Sequence, residues 1–406
     1  MVGIRIAWFR SQETATYVPP VEQVRKDLTM SESQVARVLV VGGGITGSVL
    51  ALALAQRGVA VVLVEIRTEW SGIGHGITLQ GNALKAFRSV GIFDELATKG
   101  VPFNDFRIRN AADGSVIMEL PTPHTGGEDL PSTMGALRSD LADILAREVK
   151  AAGVDVRLGT TVTEIDDQGD AVVATLADGS KETVDLVVAA DGIRSQVREM
   201  IGITEQPRPV GMGIWRVVAK RPAAMDCAEV YYGGPKFKAG YSPISDDLCY
   251  AYLLEGNLDR SYVGEHPNGA LLRERGAGYG GIWGEIRDGL ADDAVVNYQW
   301  IETINVPDPW YRGRTIVIGD AVHACPPLIA QGAAMCAEDA VVLAELLTDG
   351  DPVEGVLPAF MARRLPRVQM VLGNSLQLAD WEMHPNPDAD PGRIMGETLH
   401  ALQTPA

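Results

Sequence analysis

Residues 37–65 read Arg37-Val-Leu-Val-Val-Gly42-Gly43-Gly44-Ile-Thr46-Gly47-Ser-Val-Leu-Ala-Leu-Ala-Leu-Ala-Gln-Arg-Gly58-Val-Ala-Val-Val-Leu-Val-Glu65, and this stretch decides the fold. Residues 37–41 are apolar and rich in β-branched side chains, which predicts a buried parallel strand. A glycine turn follows, then a helix from about Thr46 to Arg57. Gly58 sits just past its end, where a helix commonly takes a left-handed residue. Residues 59–64 predict a second buried strand. The turn itself is a G-x-G-x-x-G. Gly42 makes the tight bend, Gly44 lets backbone approach a pyrophosphate, and Gly47 lets the helix pack on the strand. Phosphates are expected at the helix N-terminus, where free N–H groups favour anions. Glu65 lies 65 − 47 = 18 residues past Gly47, placed to accept from a ribose hydroxyl. An acid there disfavours a 2′-phosphate.

The same stretch tests a membrane reading. Val38–Ala55 carries no charge over eighteen residues, the lower bound for a spanning helix. Gly42, Gly43, Gly44, Thr46, Gly47 and Ser48 in its middle argue for strand, turn and helix instead. No signal peptide is expected: residues 1–29 lack an apolar core and carry Glu13, Glu22 and Asp27. Met30 is an alternative start, which would make residues 1–29 an upstream extension; residues 1–33 are read as an N-terminal extension expected to be disordered.

The chain has 406 residues, with 35 Lys+Arg against 53 Asp+Glu, a net charge of −18. That length accommodates a large core, and the composition is that of a folded globular protein. The acidic balance argues against nucleic acid and against docking on anionic lipid. Four scattered cysteines, Cys227, Cys249, Cys325 and Cys336, have no C-x-x-C spacing. They predict neither a metal site nor a redox pair, and suit a reduced, cytoplasmic compartment.

Farther along, helices are expected over Asn82–Val90, Ser139–Ala152, Ala333–Leu347 and Leu357–Met383, the last disturbed at Pro366. Short strands are expected between Val154 and Ala190, and at Thr315–Ile318. Residues 205–305 differ in texture. Aromatics gather there and runs such as Leu248–Leu254 alternate, which predicts an inserted sheet. The residues after Pro385 read as a loose tail.

Two further strings carry chemistry. One is Asp185-Leu-Val-Val-Ala-Ala-Asp191-Gly192-Ile-Arg194. The other is Gly313-Arg-Thr-Ile-Val-Ile-Gly319-Asp320-Ala-Val-His323-Ala-Cys-Pro326-Pro327, followed by Gln331-Gly332-Ala333-Ala334-Met335. Each sets an acid beside a glycine at the carboxyl end of an apolar strand, where an α/β sheet presents ligand-binding groups.

These three strings, in this order, resemble the FAD-dependent aromatic hydroxylases, single-component flavoprotein monooxygenases of the para-hydroxybenzoate hydroxylase type. The resemblance runs from about Val38 to Asp380. It takes in Gly74–Asn82, Arg138-Ser-Asp-Leu141 and Arg363-Arg-Leu-Pro-Arg367, and is weakest in the middle segment. It implies a mixed α/β fold: a Rossmann-like FAD-binding domain (34–204 and 306–384), an inserted sheet-rich substrate domain (205–305) and a long C-terminal helix, with a loose tail at 385–406. It implies that Gly42, Gly44, Thr46 and Gly47 hold the FAD pyrophosphate, with Glu65 and Arg67 at the adenosine. Arg138 would face the flavin side, Asp191 and Gly192 would link FAD and the nicotinamide donor, and Gly319 and Asp320 would meet the ribityl chain. Pro327 would shape the flavin loop, and Gly332, Ala333, Ala334 and Met335 would present N–H groups to the flavin pyrimidine edge.

The activity implied is hydroxylation of a small electron-rich phenol or hydroxypyridine, in aromatic catabolism. It uses FAD, NADH or NADPH and O2 through a flavin C4a-hydroperoxide, and needs no metal. Monomer and homodimer both fit. Candidates for the proton-handling group are His75, where the family more often has a small residue, and Tyr232, Tyr241 and Tyr252. Tyr250 and Tyr252 are two apart on one strand and share a face; Trp215 is a further candidate for the pocket lining, and His323 reads as structural support. Alternatives on the same fold are epoxidation, oxidative decarboxylation, dehydrogenation, or a non-catalytic flavin protein that sequesters a ligand.

Overall fold

A computed structural model describes residues 35–70, 75–259, 263–264 and 267–406. The expected N-terminal extension lies outside the described residues. The quoted stretch folds as strand Arg37–Val41, helix Ile45–Gln56 and strand Ala60–Glu65. The two strands are parallel, with Leu39 opposite Val62 and Val40 opposite Leu63. The helix is apolar on every side and buried from Thr46 to Leu54. A helix of that kind has to be covered all round. The sheet covers one side and helix Gly332–Thr348 the other. No described helix is long and apolar enough to cross a membrane.

The central sheet has six strands in the order Tyr311–Arg312, Thr315–Val317, Leu186–Ala189, Arg37–Val41, Ala60–Glu65, Asp155–Leu158. All neighbours are parallel except the short first pair. Strands from all three motifs are therefore side by side. Their carboxyl ends put Gly42, Asp191 and Gly319 on one edge, and the order reverses beside Arg37–Val41. Such a switch point is where open α/β sheets bind ligands.

The expected inserted sheet is present and larger than its segment. It has seven strands in the order Val296–Thr303, Arg208–Lys220, Leu248–Gly256, Lys238–Pro243, Ala228–Tyr232, Asp105–Asn110, Val116–Pro121. The last two come from residues expected in the nucleotide-binding part, and Asp105–Asn110 joins in parallel with Ala228–Tyr232. One face packs on helices Gly269–Arg275 and Gly281–Asp288 through Leu272, Trp283 and Ile286. The other packs on the chain around Leu328 and on the C-terminal helices.

Helix Val353–Met383 runs through both Pro358 and Pro366. The tail departs from its expected looseness: Pro391–Ala401 is a helix. Asp390 caps it by accepting from the Arg393 N–H, and proline occupies its first turn, where no intrahelical N–H bond is lost.

A buried ion network ties these parts together. Arg364, 0% exposed, donates from Nε to Asp339 Oδ1 at 2.8 Å and from Nη1 to Glu338 Oε2 at 2.7 Å. Glu338 also accepts from Arg367 and from Asn82 Nδ2. Asp339 Oδ2 accepts from the Gly319 N–H at 3.0 Å and pairs with His323 Nε2 at 2.6 Å. Burial alone would raise both carboxyls. The partners outweigh it, Arg364 and Arg367 at Glu338 and the contacts with His323 and Arg364 at Asp339, and both carboxyls are held below their ordinary values.

Removing the cation leaves two carboxylates facing a dry interior. Arg364→Met should lower unfolding stability at pH 7 by about 3–5 kcal/mol in denaturant titration. The depressed carboxyls contribute stability fully above their unfolded values of 4.5 and 3.8, and that contribution is lost as the pH falls below them. The gap between wild type and variant should therefore narrow under acid conditions.

Candidate functional site

The glycine turn is built by close approach. Gly42 has φ +103°, and a Cβ there would lie 2.5 Å from the Ala190 carbonyl oxygen. A Cβ on Gly47 would lie 1.9 Å from the Gly42 carbonyl oxygen. Gly44 differs: a Cβ there would meet nothing within 4 Å. The space in front of it is a groove of about 500 Å³, within the roughly 300–1,000 Å³ usual for small-molecule sites. The groove is lined by Gly42–Ile45, Glu65, Arg67, Trp70, Arg138, Asp191 and Arg194, among others.

Glu65 has a second duty beyond the ribose expected of it. Its Oε2 accepts from the Gly43 N–H at 2.7 Å and its Oε1 from the Arg67 N–H at 2.9 Å. The carboxylate thus fixes the turn and keeps spare lone pairs toward the groove. The Trp70 indole donates to the Gly43 carbonyl at 2.8 Å. Sequence reasoning passed over Trp70, although an aromatic five residues after an acid at a strand end (70 − 65 = 5) is a usable signal.

Asp191 Oδ2 accepts from the N–H groups of Gln196 and Val197 at 3.0 and 3.3 Å. Its Oδ1 is buried without a partner, and burial raises its carboxyl above the ordinary value. Gly319 has φ +67°, and a Cβ would sit 2.5 Å from Thr46 Oγ1, so the first and third motifs touch. Ala330 has φ +55°, a left-handed backbone costly for alanine, two residues before helix Gly332–Thr348.

A wider cleft of about 1380 Å³ adjoins the groove, and Arg194 lines both. Its walls carry Arg216, Asn297, Gln299, Asp320, Cys325 and Pro327. His75 lies near it. Its Nε2 is buried without a partner, and burial, then the charges of Arg216 and Arg138, lower it from 6.5. A Cβ on the following Gly76 would strike the Tyr250 side chain at 2.2 Å, so the His75 segment lies against the seven-stranded sheet. Arg216 donates to the Tyr250 hydroxyl at 3.2 Å and to Gln299 at 3.1 Å. Arg216 was not singled out from sequence; it became visible only once the strand register put it opposite Tyr252.

The tyrosine candidates separate by face. Tyr250 and Tyr252 lie together, ring centroids 5.8 Å apart, on the face toward the C-terminal helices. Tyr232 is half-buried near Lys238, whose ammonium is 5.6 Å from its ring centre. Tyr241 and Trp215 are on the opposite face. The Tyr241 hydroxyl donates to Glu229, itself paired with Arg109, and Trp215 donates to Glu255 at 2.8 Å. Both are buried core residues on the face opposite Tyr250 and Tyr252, and Trp215 packs on Tyr298 with ring centroids 4.7 Å apart. His323 is buried on Asp339, as a supporting residue is. The thiol of Cys325, in the cleft wall, is pushed up to about 12 by burial, so it stays protonated near neutrality.

The donor set fits FAD: a cradle that a Cβ would fill at Gly44, an orphaned acceptor at Asp191, and arginines along an otherwise acidic protein. Comparison with known proteins agrees. Residues 35–247 and 291–375 match the family described as FAD binding domain. A 2-heptyl-3-hydroxy-4(1H)-quinolone synthase of Pseudomonas aeruginosa is 33% identical over 85% of this chain and 90% of its own. A 6-hydroxynicotinate 3-monooxygenase of Pseudomonas fluorescens is 30% identical over 78% and 84%. HpxO of Klebsiella pneumoniae, solved with FAD and uric acid, shares the fold with a TM-score of 0.77 over 92% of this chain and 94% of that one, at 24% identity. The chain belongs to the FAD-binding-domain family of flavoprotein monooxygenases; it is an FAD-dependent enzyme that takes its electrons from NADH or NADPH.

The two glycines should fail differently. Gly44→Val should fold and purify without flavin, since its side chain enters only ligand space. Gly47→Val should be insoluble or strongly destabilised. Flavin absorbance and thermal unfolding of the two variants separate these outcomes.

Proposed function

We propose that this monooxygenase hydroxylates a small, electron-rich aromatic or heteroaromatic ring of the phenol or hydroxypyridine type. The observation that carries the reading is one juxtaposition. Leu328 and Ile329, in the loop leading to Gly332, share an apolar wall with Ile214, Tyr252 and Leu254 of the seven-stranded sheet. A flat ring held on that wall lies beside the cofactor site. Two relatives named for heteroaromatic rings, a quinolone and a hydroxynicotinate, support the ring class.

In this reading Gly42, Gly44, Thr46 and Gly47 hold the pyrophosphate, and Glu65 and Arg67 hold the adenosine. Arg138 lies along the flavin side. Asp191 with Gly192, and Gly319 with Asp320, meet the middle of the cofactor, with Pro327 shaping the loop beside it. FAD, when bound, supplies the chemistry that couples nicotinamide oxidation to activation of dioxygen. The chain supplies orientation, charge and dryness. The N–H groups from Gly332 to Ala334 are free at a helix start, Met335 donating to the Gln331 carbonyl at 2.9 Å, and the helix dipole stabilises developing negative charge. Arg216 faces the ring site and stabilises an anionic ring oxygen. Burial and then the charges of Arg216 and Arg138 favour the neutral form of His75, and its unpartnered Nε2 is placed to take a ring hydroxyl proton. Tyr232 and Tyr252 bound the ring site rather than carry the proton. We place the enzyme in the cytoplasm, as a monomer or homodimer acting on a diffusible substrate.

NAD(P)H consumption by the FAD-loaded protein should rise well above its background with at least one member of a panel of phenols and hydroxypyridines. Flat consumption across the panel contradicts the reading. His75→Ala should keep its FAD and shift turnover from hydroxylated product toward peroxide, measured as product formed per NAD(P)H consumed. Unchanged coupling removes His75 from the site.

A further inference from the structure

The ring wall ends in a charge pair that the roles above do not use. Lys238, 6% exposed, begins strand Lys238–Pro243, and Glu382 lies near the end of helix Val353–Met383. Lys238 Nζ donates to Glu382 Oε1 at 2.5 Å. The Tyr232 hydroxyl lies 3.4 Å from the same oxygen. The other oxygen, Glu382 Oε2, is buried and has no hydrogen-bond partner. A buried carboxylate oxygen left unmatched is costly, and native proteins rarely keep one without a use.

The surroundings say which way the pair serves. Phe237, Tyr252, Trp381 and Met383 pack in the cluster that contains Leu328 and Ile329. The charge pair, flanked by Phe237 and by Trp381 and Met383, therefore sits at one margin of the apolar wall, with the cofactor loop at another. A Cβ on Gly240 would lie 2.3 Å from the Tyr252 hydroxyl oxygen, so glycine there gives the Tyr252 ring its place across the sheet. Lys238 is already neutralised by Glu382. The pair has no net positive charge to offer a substrate carboxylate, and the unmatched atom is an acceptor.

We propose that Glu382, held by Lys238, accepts a hydrogen bond through Oε2 from the substrate ring, so that the substrate class is a neutral ring carrying its own donor, a lactam-type ring N–H or a phenolic O–H, rather than an aromatic carboxylate. This rests on the ring-hydroxylase reading. It adds a selection rule. Methylating the donor removes the bond, and replacing the donor by a carboxylate sets two anions against each other.

The test uses FAD-loaded enzyme and reads binding from the change in flavin visible absorbance, with NAD(P)H consumption in parallel. One arm compares 4-quinolone with its N-methyl derivative. A second compares 2-pyridone with its N-methyl derivative, a ring N–H that His75 and Arg216 do not use, and benzoate is the anionic control. The expected result is a loss of roughly ten- to hundredfold in affinity on methylation in at least one arm, the worth of a hydrogen bond to a charged group. Benzoate should bind more weakly than the donor rings. The double variant Lys238→Met with Glu382→Leu removes the pair without stranding a buried charge, and in it methylation should cost little. If methylation costs nothing in wild type, if its cost persists in the double variant, or if benzoate binds as well, the proposal is overturned. Rings that stimulate NAD(P)H consumption without obeying the methylation rule overturn this inference alone. Rings that neither bind nor stimulate consumption overturn the hydroxylase reading and this inference with it. A double variant that does not fold leaves the wild-type methylation and benzoate comparisons to decide.

Discussion

Two acids side by side on one helix, Glu338 and Asp339, anchor the third motif and, through it, the glycine turn of the first. Arg364 lies between them, out of contact with water, and donates to each. Asp339 grips the backbone of Gly319, and Glu338 grips Asn82. Ions this deep contribute little net stability when complete and cost several kcal/mol when one partner is missing. Their value is geometric. Gly319 is fixed against Thr46, and Thr46 stands one residue before the Gly47 that locks onto Gly42. A half-ångström of freedom in this network would spread to every group that faces the cofactor.

Charge follows the same economy of placement. The protein carries −18 and binds dinucleotides that are themselves anionic. The overall field opposes association, so attraction has to come from groups within a few ångströms. Arg67, Arg138 and Arg194 line the groove, and the helix beginning at Ile45 brings free N–H groups to it. Other cations are spent inside the protein: Arg364 and Arg367 on Glu338, Arg107 and Arg109 on Glu229, Arg275 on Glu255.

The glycine turn, its flanking strands and the motif acids were legible because each rests on a local rule: a φ that only glycine tolerates, a strand that must be apolar on both faces, an acid at a strand end. Asn82 and Arg363–Arg367 were visible only as a resemblance, since Asn82 meets Glu338 across 256 positions of sequence. The tyrosines illustrate the same limit. Alternation puts Tyr250 and Tyr252 together, but whether Tyr241 shares their face depends on the pairing of Tyr241 with Ala251, a register no local pattern fixes. Strands Asp105–Asn110 and Val116–Pro121 were missed because they complete a sheet whose other strands come a hundred residues later. The tail helix was missed for a different reason. Its Asp-Pro start was present, and the composition of the tail was given more weight than its cap.

The central claim is that one atom of dioxygen ends in a ring product, and tracing that atom tests it most directly. Turnover of the best ring substrate under heavy-oxygen dioxygen, in ordinary water, should give product heavier by one labelled oxygen, with one NAD(P)H consumed for each product formed. Product carrying oxygen from water, or nicotinamide oxidation that yields only peroxide with every ring tried, would contradict the account.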